Sequence, residues 1–171
     1  AGTAPATVGT PVAAGPNSFT IDVTPTGEGT VQLRLAAGSV ADAAGNAIAF
    51  PVTDSVTLTA DGTAPTVLSV TPITSSPTNA GVVEYTVTFS EDVTGVDDTD
   101  FAVAVTGAVV PGNVTVTRLS GTTYAVAIDT GSGDGTVRLD VLADGSILDA
   151  PGNPLAVGFT TAAAVEIDKT A

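Results

Sequence analysis

The side chains that could take part in chemistry are almost all carboxylates. The chain carries 18 aspartates and glutamates against 4 lysines and arginines, and it has no histidine and no cysteine. Nucleophilic triads and thiol catalysis need partners that are missing here. A glycosidase needs only two carboxylates, but also a substrate cleft, and 2 tyrosines, 5 phenylalanines and no tryptophan supply little to line one. The residue types therefore predict a protein that is not an enzyme.

The carboxylates are concentrated in a few segments rather than scattered. One stretch contains Glu91, Asp92, Asp97, Asp98 and Asp100, a second contains Asp144 and Asp149, and Asp61 precedes both. Carboxylates that converge repel one another unless a cation lies between them. Calcium takes six to eight hard oxygen ligands from flexible loops, whereas zinc and copper prefer histidine or cysteine. These segments predict a calcium site, with a solvated acidic surface as the alternative.

The elements that must position these carboxylates are β-strands. In Val83–Phe89 the odd-numbered residues are apolar and the even-numbered ones polar, which is the period of a strand with one buried face. Seven strands are predicted in the second part of the chain, at 66–72, 82–90, 101–106, 113–118, 123–129, 135–142 and 156–167. If successive strands alternate in direction, loops 91–100, 119–122 and 143–155 share one end of the domain with Asp61.

The overall composition favours an all-β fold and limits the kinds of partner that the chain can bind. The apolar residues are mainly alanine and valine rather than leucine or methionine, with threonine, glycine and proline between them. β-Branched residues favour strands, which glycine and proline interrupt. The net charge is −14, so phosphate backbones and anionic lipid surfaces are repelled. No apolar run approaches the ~20 residues that span a bilayer. We expect neither nucleic-acid binding nor membrane insertion.

An internal repeat organises the chain. The segments beginning at Gly29, Gly38 and Asp61 recur at Gly135, Gly145 and Asp168, at offsets of 106, 107 and 107 residues. Three collinear matches at offsets that differ by a single residue indicate tandem units of about 107 residues. We predict a truncated unit over 1–60 that matches only the second half of a repeat, a complete unit over 61–167, and the start of a third over 168–171. Half a domain leaves sheet edges without partners.

Three motifs resemble a known group. The sequence Asp61-Gly62-Thr63-Ala64-Pro65, the segment Phe89-Ser90-Glu91 followed by Asp100-Phe101, and Asp149-Ala150-Pro151-Gly152-Asn153 are similar to motifs of bacterial Ig-like repeats. Such repeats build large surface adhesins and biofilm-associated proteins, often with calcium at domain junctions. The resemblance implies an Ig-like antiparallel β-sandwich. It also implies that Asp61, Glu91, Asp149 and Asp100 are linked to calcium, with Asp42 and Asp168 as their equivalents in the neighbouring units.

The resulting hypothesis is a secreted, cell-surface spacer whose partners are neighbouring repeats and other copies of itself. Repetition suits a spacer, because its length and stability are sums over units. A subunit of an extracellular filament or S-layer that shares strands, or a carbohydrate-binding β-sandwich, are the alternatives. The repeated Asp-Ala-x-Gly-Asn sequence also has a purely structural interpretation, since aspartate and asparagine cap turns in which glycine supplies positive φ. Capping and calcium binding are compatible roles for one aspartate.

Overall fold

The computed structural model describes residues 3–54 and 57–170 of the chain. It forms two compact units, Ala1–Gly62 and Thr63–Ala171. Ala171, the last residue of the predicted third repeat, lies outside the described residues, as do residues 1, 2, 55 and 56 of the predicted truncated unit.

The first unit consists of short strands that pair two by two. They are β1 (Ala6–Val8), β2 (Val12–Gly15), β3 (Ser18–Thr20), β4 (Val23–Pro25), β5 (Gly29–Val31), β6 (Arg34–Leu35), β7 (Val52–Thr53) and β8 (Leu58–Ala60). The pairs are β1 with β4, β2 with β3, β5 with β8 and β6 with β7, all antiparallel. Among residues 3–54 and 57–62 none is buried, so these strands carry almost no core of their own.

The second unit has longer strands in two main antiparallel sheets. Its strands are β9 (Val67–Pro72), β10 (Val82–Phe89), β11 (Val93–Thr94), β12 (Phe101–Gly107), β13 (Val114–Arg118), β14 (Thr123–Asp129), β15 (Gly135–Val141), β16 (Leu148–Asp149) and β17 (Val165–Ile167). One sheet has the order β13-β14-β10-β9 and the other the order β12-β15-β17. The pair β11–β16 and a short 3-10 helix at Asp98–Asp100 complete the unit.

A single core fills the second unit, because alternate residues of each strand point inward. Val83, Tyr85, Val87 and Phe89 of β10 are at most 1 % exposed, as their alternation predicts. They share a core with inward residues of β14, β15 and β17. The predicted all-β, antiparallel class is confirmed, and the arrangement is consistent with a β-sandwich.

The prediction of a last strand over 156–167 was wrong for most of that range. Only Val165–Ile167 forms a strand, preceded by a single bridge between Phe159 and Val141. The residues between them are small, and the carbonyl of Ala163 accepts a hydrogen bond from the Tyr85 hydroxyl instead of from a neighbouring strand. The other six predicted strands agree with β9, β10, β12, β13, β14 and β15 to within one residue at each end.

Across residues 3–54 and 57–170, we find no helix with the length and apolar character needed to cross a lipid bilayer.

Candidate metal-binding site

Three loops of the second unit meet at one end of its sheets. The antiparallel pair β11–β16 joins Val93 to Asp149 and so connects loop 91–100 with loop 143–155. The amide of Val93 also donates to the carbonyl of Gly121, which brings in loop 119–122. The Tyr124 hydroxyl donates to the carbonyl of Val93 at 2.9 Å and fixes this loop to the core from inside. Alternating strand directions therefore place these loops together, as the sequence predicted.

Three of the predicted ligands lie together at this end. Asp61, Glu91 and Asp149 each offer a carboxylate oxygen, and these oxygens all lie within 4.8 Å of one another. Asp61 stands two residues before Thr63, where the second unit begins. Asp149 is only 3 % exposed, whereas Asp61 and Glu91 keep partial access to solvent. Three like charges this close repel one another, and a cation would relieve that repulsion.

The position of Asp149 is fixed by the turn that follows it. Its Oδ1 accepts hydrogen bonds from the amides of Gly152 and Asn153, both at 2.7 Å, and its Oδ2 accepts one from the Asn153 side chain at 2.7 Å. Burial alone would raise the pKa of Asp149, but these hydrogen bonds from Asn153 and Gly152 outweigh it and lower the pKa. The carboxylate is therefore kept charged and oriented without a metal.

Asp100 lies outside the group of three carboxylates and belongs to a separate polar cluster. It is fully buried, and its Oδ2 accepts the amide of Asp97 at 2.7 Å, which closes a capping box around the 3-10 helix. Its Oδ1 makes a short hydrogen bond with the hydroxyl of Ser146. That hydroxyl also lies 2.5 Å from Oδ1 of Asp144. Asp100 thus ties loop 91–100 to loop 143–155.

The remaining carboxylates of this cluster are stabilised in their charged forms by local hydrogen bonds. Bonds from the Thr99 side chain and amide lower the pKa of Asp97. Bonds from the Ser146 side chain and amide lower the pKa of Asp144. Each carboxylate therefore serves first as a turn cap.

Asp42 and Asp168 cap turns at other places in the chain. Oδ1 of Asp42 accepts the amides of Ala44 and Asn46, and its Oδ2 accepts the Asn46 side chain at 2.9 Å. The Asn46 side chain is the first cause of the lowered pKa of Asp42. Asp168 accepts the amide and hydroxyl of Thr170. Within the described residues, neither aspartate belongs to a group of three close carboxylates.

Two further side chains organise this end of the unit: Asn153, which the repeated motif had marked as a turn residue, and Ser146, which sequence reasoning missed. Asn153 donates to Asp149 and, at 3.4 Å, to the carbonyl of Thr63 in the segment that follows Asp61. Ser146 connects Asp100 with Asp144. The recurrence of asparagine in both Asp-x-x-x-Asn turns was the signal for Asn153, whereas a lone serine gives none.

The donor set of the three carboxylates fits a hard cation. All three ligands are oxygens, which suits calcium and disfavours zinc and copper. Three protein carboxylates leave room for the carbonyl and water ligands that calcium also takes. Comparison of the chain with protein-family models, with curated proteins and with solved structures gave no match.

Proposed function

We propose that the chain is a structural spacer of a secreted, adhesin-type surface protein, built from Ig-like β-sandwich repeats of about 107 residues and stiffened by calcium. One observation carries the proposal. The carboxylates of Asp61, Glu91 and Asp149 come within 4.8 Å of one another where the chain enters the second unit.

The mechanism is mechanical rather than chemical. A calcium ion held by this group would bind Asp61, in the connecting segment, to two loops of the second unit. The ion would restrict rotation of the backbone around residues 61–63 and so hold the direction in which the chain enters the unit. Extracellular modules bind calcium with a Kd of about 10⁻⁴–10⁻³ M, so such a site fills outside the cell and empties in the cytosol.

In the second unit, the arrangement of aromatic residues favours a spacer over a carbohydrate-binding module. Sugar binding of that kind uses exposed rings as a platform. Tyr85, Phe89, Phe101 and Tyr124 are all buried in the second unit, and Phe89 and Tyr124 pack edge to face with centroids 5.8 Å apart. These rings stabilise the core and are closed to a ligand.

The test is a thermal unfolding curve of the full chain in excess EDTA and then with millimolar calcium. A ligand that binds only the folded state stabilises it by RT ln(1 + [L]/Kd), about 2.7 kcal/mol at a hundredfold excess over Kd. We expect calcium to raise the Tm by several degrees and magnesium to raise it much less, since magnesium seldom uses cages made only of protein ligands. Equal curves with and without calcium would refute the metal site.

Single variants locate the ion. Asp61→Asn and Glu91→Gln each remove one candidate charge, and Asp98→Asn removes the same charge from an exposed residue of the same acidic loop outside the group of three. We expect the first two variants to reduce the calcium-induced shift in Tm and Asp98→Asn to retain it. If all three reduce the shift equally, calcium acts through the total charge rather than through this site.

A second candidate function is a subunit of an extracellular filament or S-layer that shares strands with its neighbours. It is favoured by the exposed apolar side chains of the first unit, among them Phe19 at 63 % and Phe50 at 80 % exposure. Sedimentation of the chain over a wide concentration range tests this candidate, because subunits that share strands form assemblies that grow with concentration beyond a dimer, and a chain that does not grow in this way is not such a subunit.

A further inference from the structure

The segment that connects β9 with β10 pairs with the last strand of the second unit. Thr78 forms a parallel bridge with Ile167. The amide of Thr78 donates to the carbonyl of Glu166, and the amide of Asp168 donates to the carbonyl of Thr78, both at 2.9 Å. Residues 76–80 and β17 therefore lie side by side and run in the same direction.

Lys169 closes one end of this pairing. Its ammonium group donates to the carbonyl of Asn79 at 2.9 Å and to the carbonyl of Ala80 at 2.6 Å. Hydrogen bonds from a charged donor are stronger than those between neutral groups. Residues 76–80 and 165–169, held together in this way, form an element that we call the clamp.

The preceding repeat has no counterpart of this lysine. Asp61-Gly62-Thr63 occupies the same place in the sequence repeat as Asp168-Lys169-Thr170. Glycine carries no side chain that could reach the carbonyl of a neighbouring segment. The bonds to Asn79 and Ala80 are therefore a property of the second unit and not a requirement of the repeated sequence.

The last strand is held on its other side as well. Val165 and Ile167 of β17 pair antiparallel with Val137 and Gly135 of β15. The side chains of Val165 and Ile167 are at most 1 % exposed and belong to the core. Hence β17 leaves the unit only if its hydrogen bonds on both sides break and its apolar side chains enter water.

Tension across the second unit runs along its strands. The chain enters this unit at Thr63, and β9, which follows, begins opposite Phe89 at the C-terminal end of β10. The clamp precedes Val82, where β10 begins. Thr63 and Lys169 therefore lie at opposite ends of β10. A pull on both draws residues 76–80 towards one end of the unit and β17 towards the other.

The direction of the pairing decides how the clamp responds to such tension. Because the two segments are pulled past each other along their length, all of their hydrogen bonds are loaded at the same time and have to break together. A load applied at the Lys169 end alone would break them one after another. On the basis of the proposed spacer function, we infer that the clamp is the load-bearing element of the second unit and that Lys169 is the residue that closes it.

The experiment pulls single molecules of the full chain at constant force in two directions. In the first, fused handles hold the two ends of the chain. In the second, the handles hold the C-terminal end and a cysteine introduced by Gly81→Cys, which is unique because the chain has no cysteine. A side chain on the exposed Gly81 meets nothing within 4 Å.

Unfolding of the second unit is recognised by the length of chain that it sets free. This length is roughly 36 nm for residues 63–171 and roughly 30 nm for residues 81–171, at about 3.3 Å per residue. Forced unfolding reports the unfolding rate. We expect a lifetime roughly tenfold or more shorter in the second direction, because the clamp then opens from its Lys169 end. Equal lifetimes in the two directions would overturn the inference.

The closing residue is tested by Lys169→Met, which keeps an unbranched side chain and removes the ammonium group. In the end-to-end direction we expect the lifetime to fall roughly tenfold, which corresponds to about 1.4 kcal/mol in the barrier. The matched control is Arg118→Met. It removes an equal charge and a hydrogen bond from Nε to the carbonyl of Ser120 at 3.0 Å, next to β13 and outside the clamp. An equally shortened lifetime in Arg118→Met would show that charge, not the clamp, sets the lifetime.

Excess EDTA in all of these measurements separates the clamp from the candidate calcium site. The two lie at opposite ends of β10, since loop 91–100 follows Phe89 and the clamp precedes Val82. Failure of calcium to raise the Tm would refute the metal site and leave the expected lifetimes unchanged. Equal lifetimes in the two pulling directions would refute the clamp whatever the effect of calcium.

Discussion

Asn153 donates its side-chain amide to Oδ2 of Asp149 across 2.7 Å. This bond closes the turn between β16 and the strand bridge at Phe159, and it orients one of the three carboxylates of the candidate calcium site. The first unit repeats it, since Asn46 donates to Oδ2 of Asp42 across 2.9 Å. The same short motif therefore occurs once with a buried aspartate, Asp149, and once with an exposed one, Asp42, which makes the two asparagines a matched pair for substitution.

Asn153→Ala is expected to lower the Tm of the second unit at neutral pH and to raise the pKa of Asp149, because burial then acts against fewer hydrogen bonds. The lowered pKa of Asp149 stabilises the fold at pH values above the ordinary 3.8, and this contribution is lost as the pH falls through the folded-state pKa. The difference in Tm between variant and wild type should therefore be full at pH 7 and shrink below about pH 4.

The control is Asn46→Ala, which removes the equivalent bond from an exposed turn. It should change the Tm much less, because its aspartate remains solvated. An equal fall in Tm in both variants would mean that the burial of Asp149 does not increase the stabilisation that this hydrogen bond provides.

Tyr85→Phe removes a buried hydroxyl that donates to the carbonyl of Val137 at 2.8 Å and also lies 3.1 Å from the carbonyl of Ala163. We expect a loss of about 1–2 kcal/mol in the free energy of unfolding at pH 7, since the carbonyls lose their donor. Chemical denaturation measures it. Burial raises the pKa of Tyr85 to about 12 from an ordinary 10.0.

The raised pKa gives this prediction a second readout. The unfolded chain releases the tyrosine proton near pH 10 and the folded chain only near pH 12, so wild-type stability falls as the pH rises through this range. Tyr85→Phe should lack this component of the alkaline loss. A variant that loses stability between pH 10 and 12 as steeply as wild type would show that other groups cause the alkaline unfolding.

The sequence predicts the long strands well because each carries its own alternation. In Val83–Phe89, the alternation of apolar and polar residues identifies the buried face without knowledge of the neighbouring strands. The pair β11–β16 escaped prediction, because two residues are too few for a period and the pairing joins Val93 to Asp149 across the chain. The stretch before Val165 was predicted as strand although alanines there leave little side chain to pack.

The candidate site, like the fold, was predictable from the sequence only in part. Counting strand directions was enough to bring Glu91 and Asp149 together with Asp61, because loop ends follow from topology. Asp100 was grouped with them by its place in the acidic loop and by the resemblance to Ig-like repeats, yet its buried side chain caps the 3-10 helix and contacts Ser146. The Asp97-x-x-Asp100 spacing is a capping-box pattern and was the available signal for that role.

Gly95→Ala is expected to be far more costly than Gly145→Ala, although both glycines have positive φ, +83° and +95°. A methyl group on Gly145 meets nothing within 4 Å, so only the backbone penalty of about 1 kcal/mol applies. On Gly95 it would lie 2.3 Å from the carbonyl oxygen of Ser146. Forcing these loops apart adds about 1–3 kcal/mol. Chemical denaturation of both variants measures the difference. Equal losses in the free energy of unfolding would show that loop 143–155 moves away from the added methyl group at little cost.

Asp134→Ala is expected to release residues 168–170 while leaving the core intact. Oδ1 of Asp134 accepts the amide of Lys169 at 2.6 Å, and its Oδ2 accepts the Thr170 hydroxyl at 3.2 Å. Without these bonds, the Lys169 amide should exchange roughly tenfold faster, as expected for a segment that opens locally. Asp129→Ala is the control. It removes an equal charge from a neighbouring residue whose side chain accepts the amide of Gly131 and forms no hydrogen bond with the described residues 168–170. Unchanged exchange in Asp134→Ala would mean that the Lys169 ammonium, which donates to the carbonyls of Asn79 and Ala80, holds this segment alone.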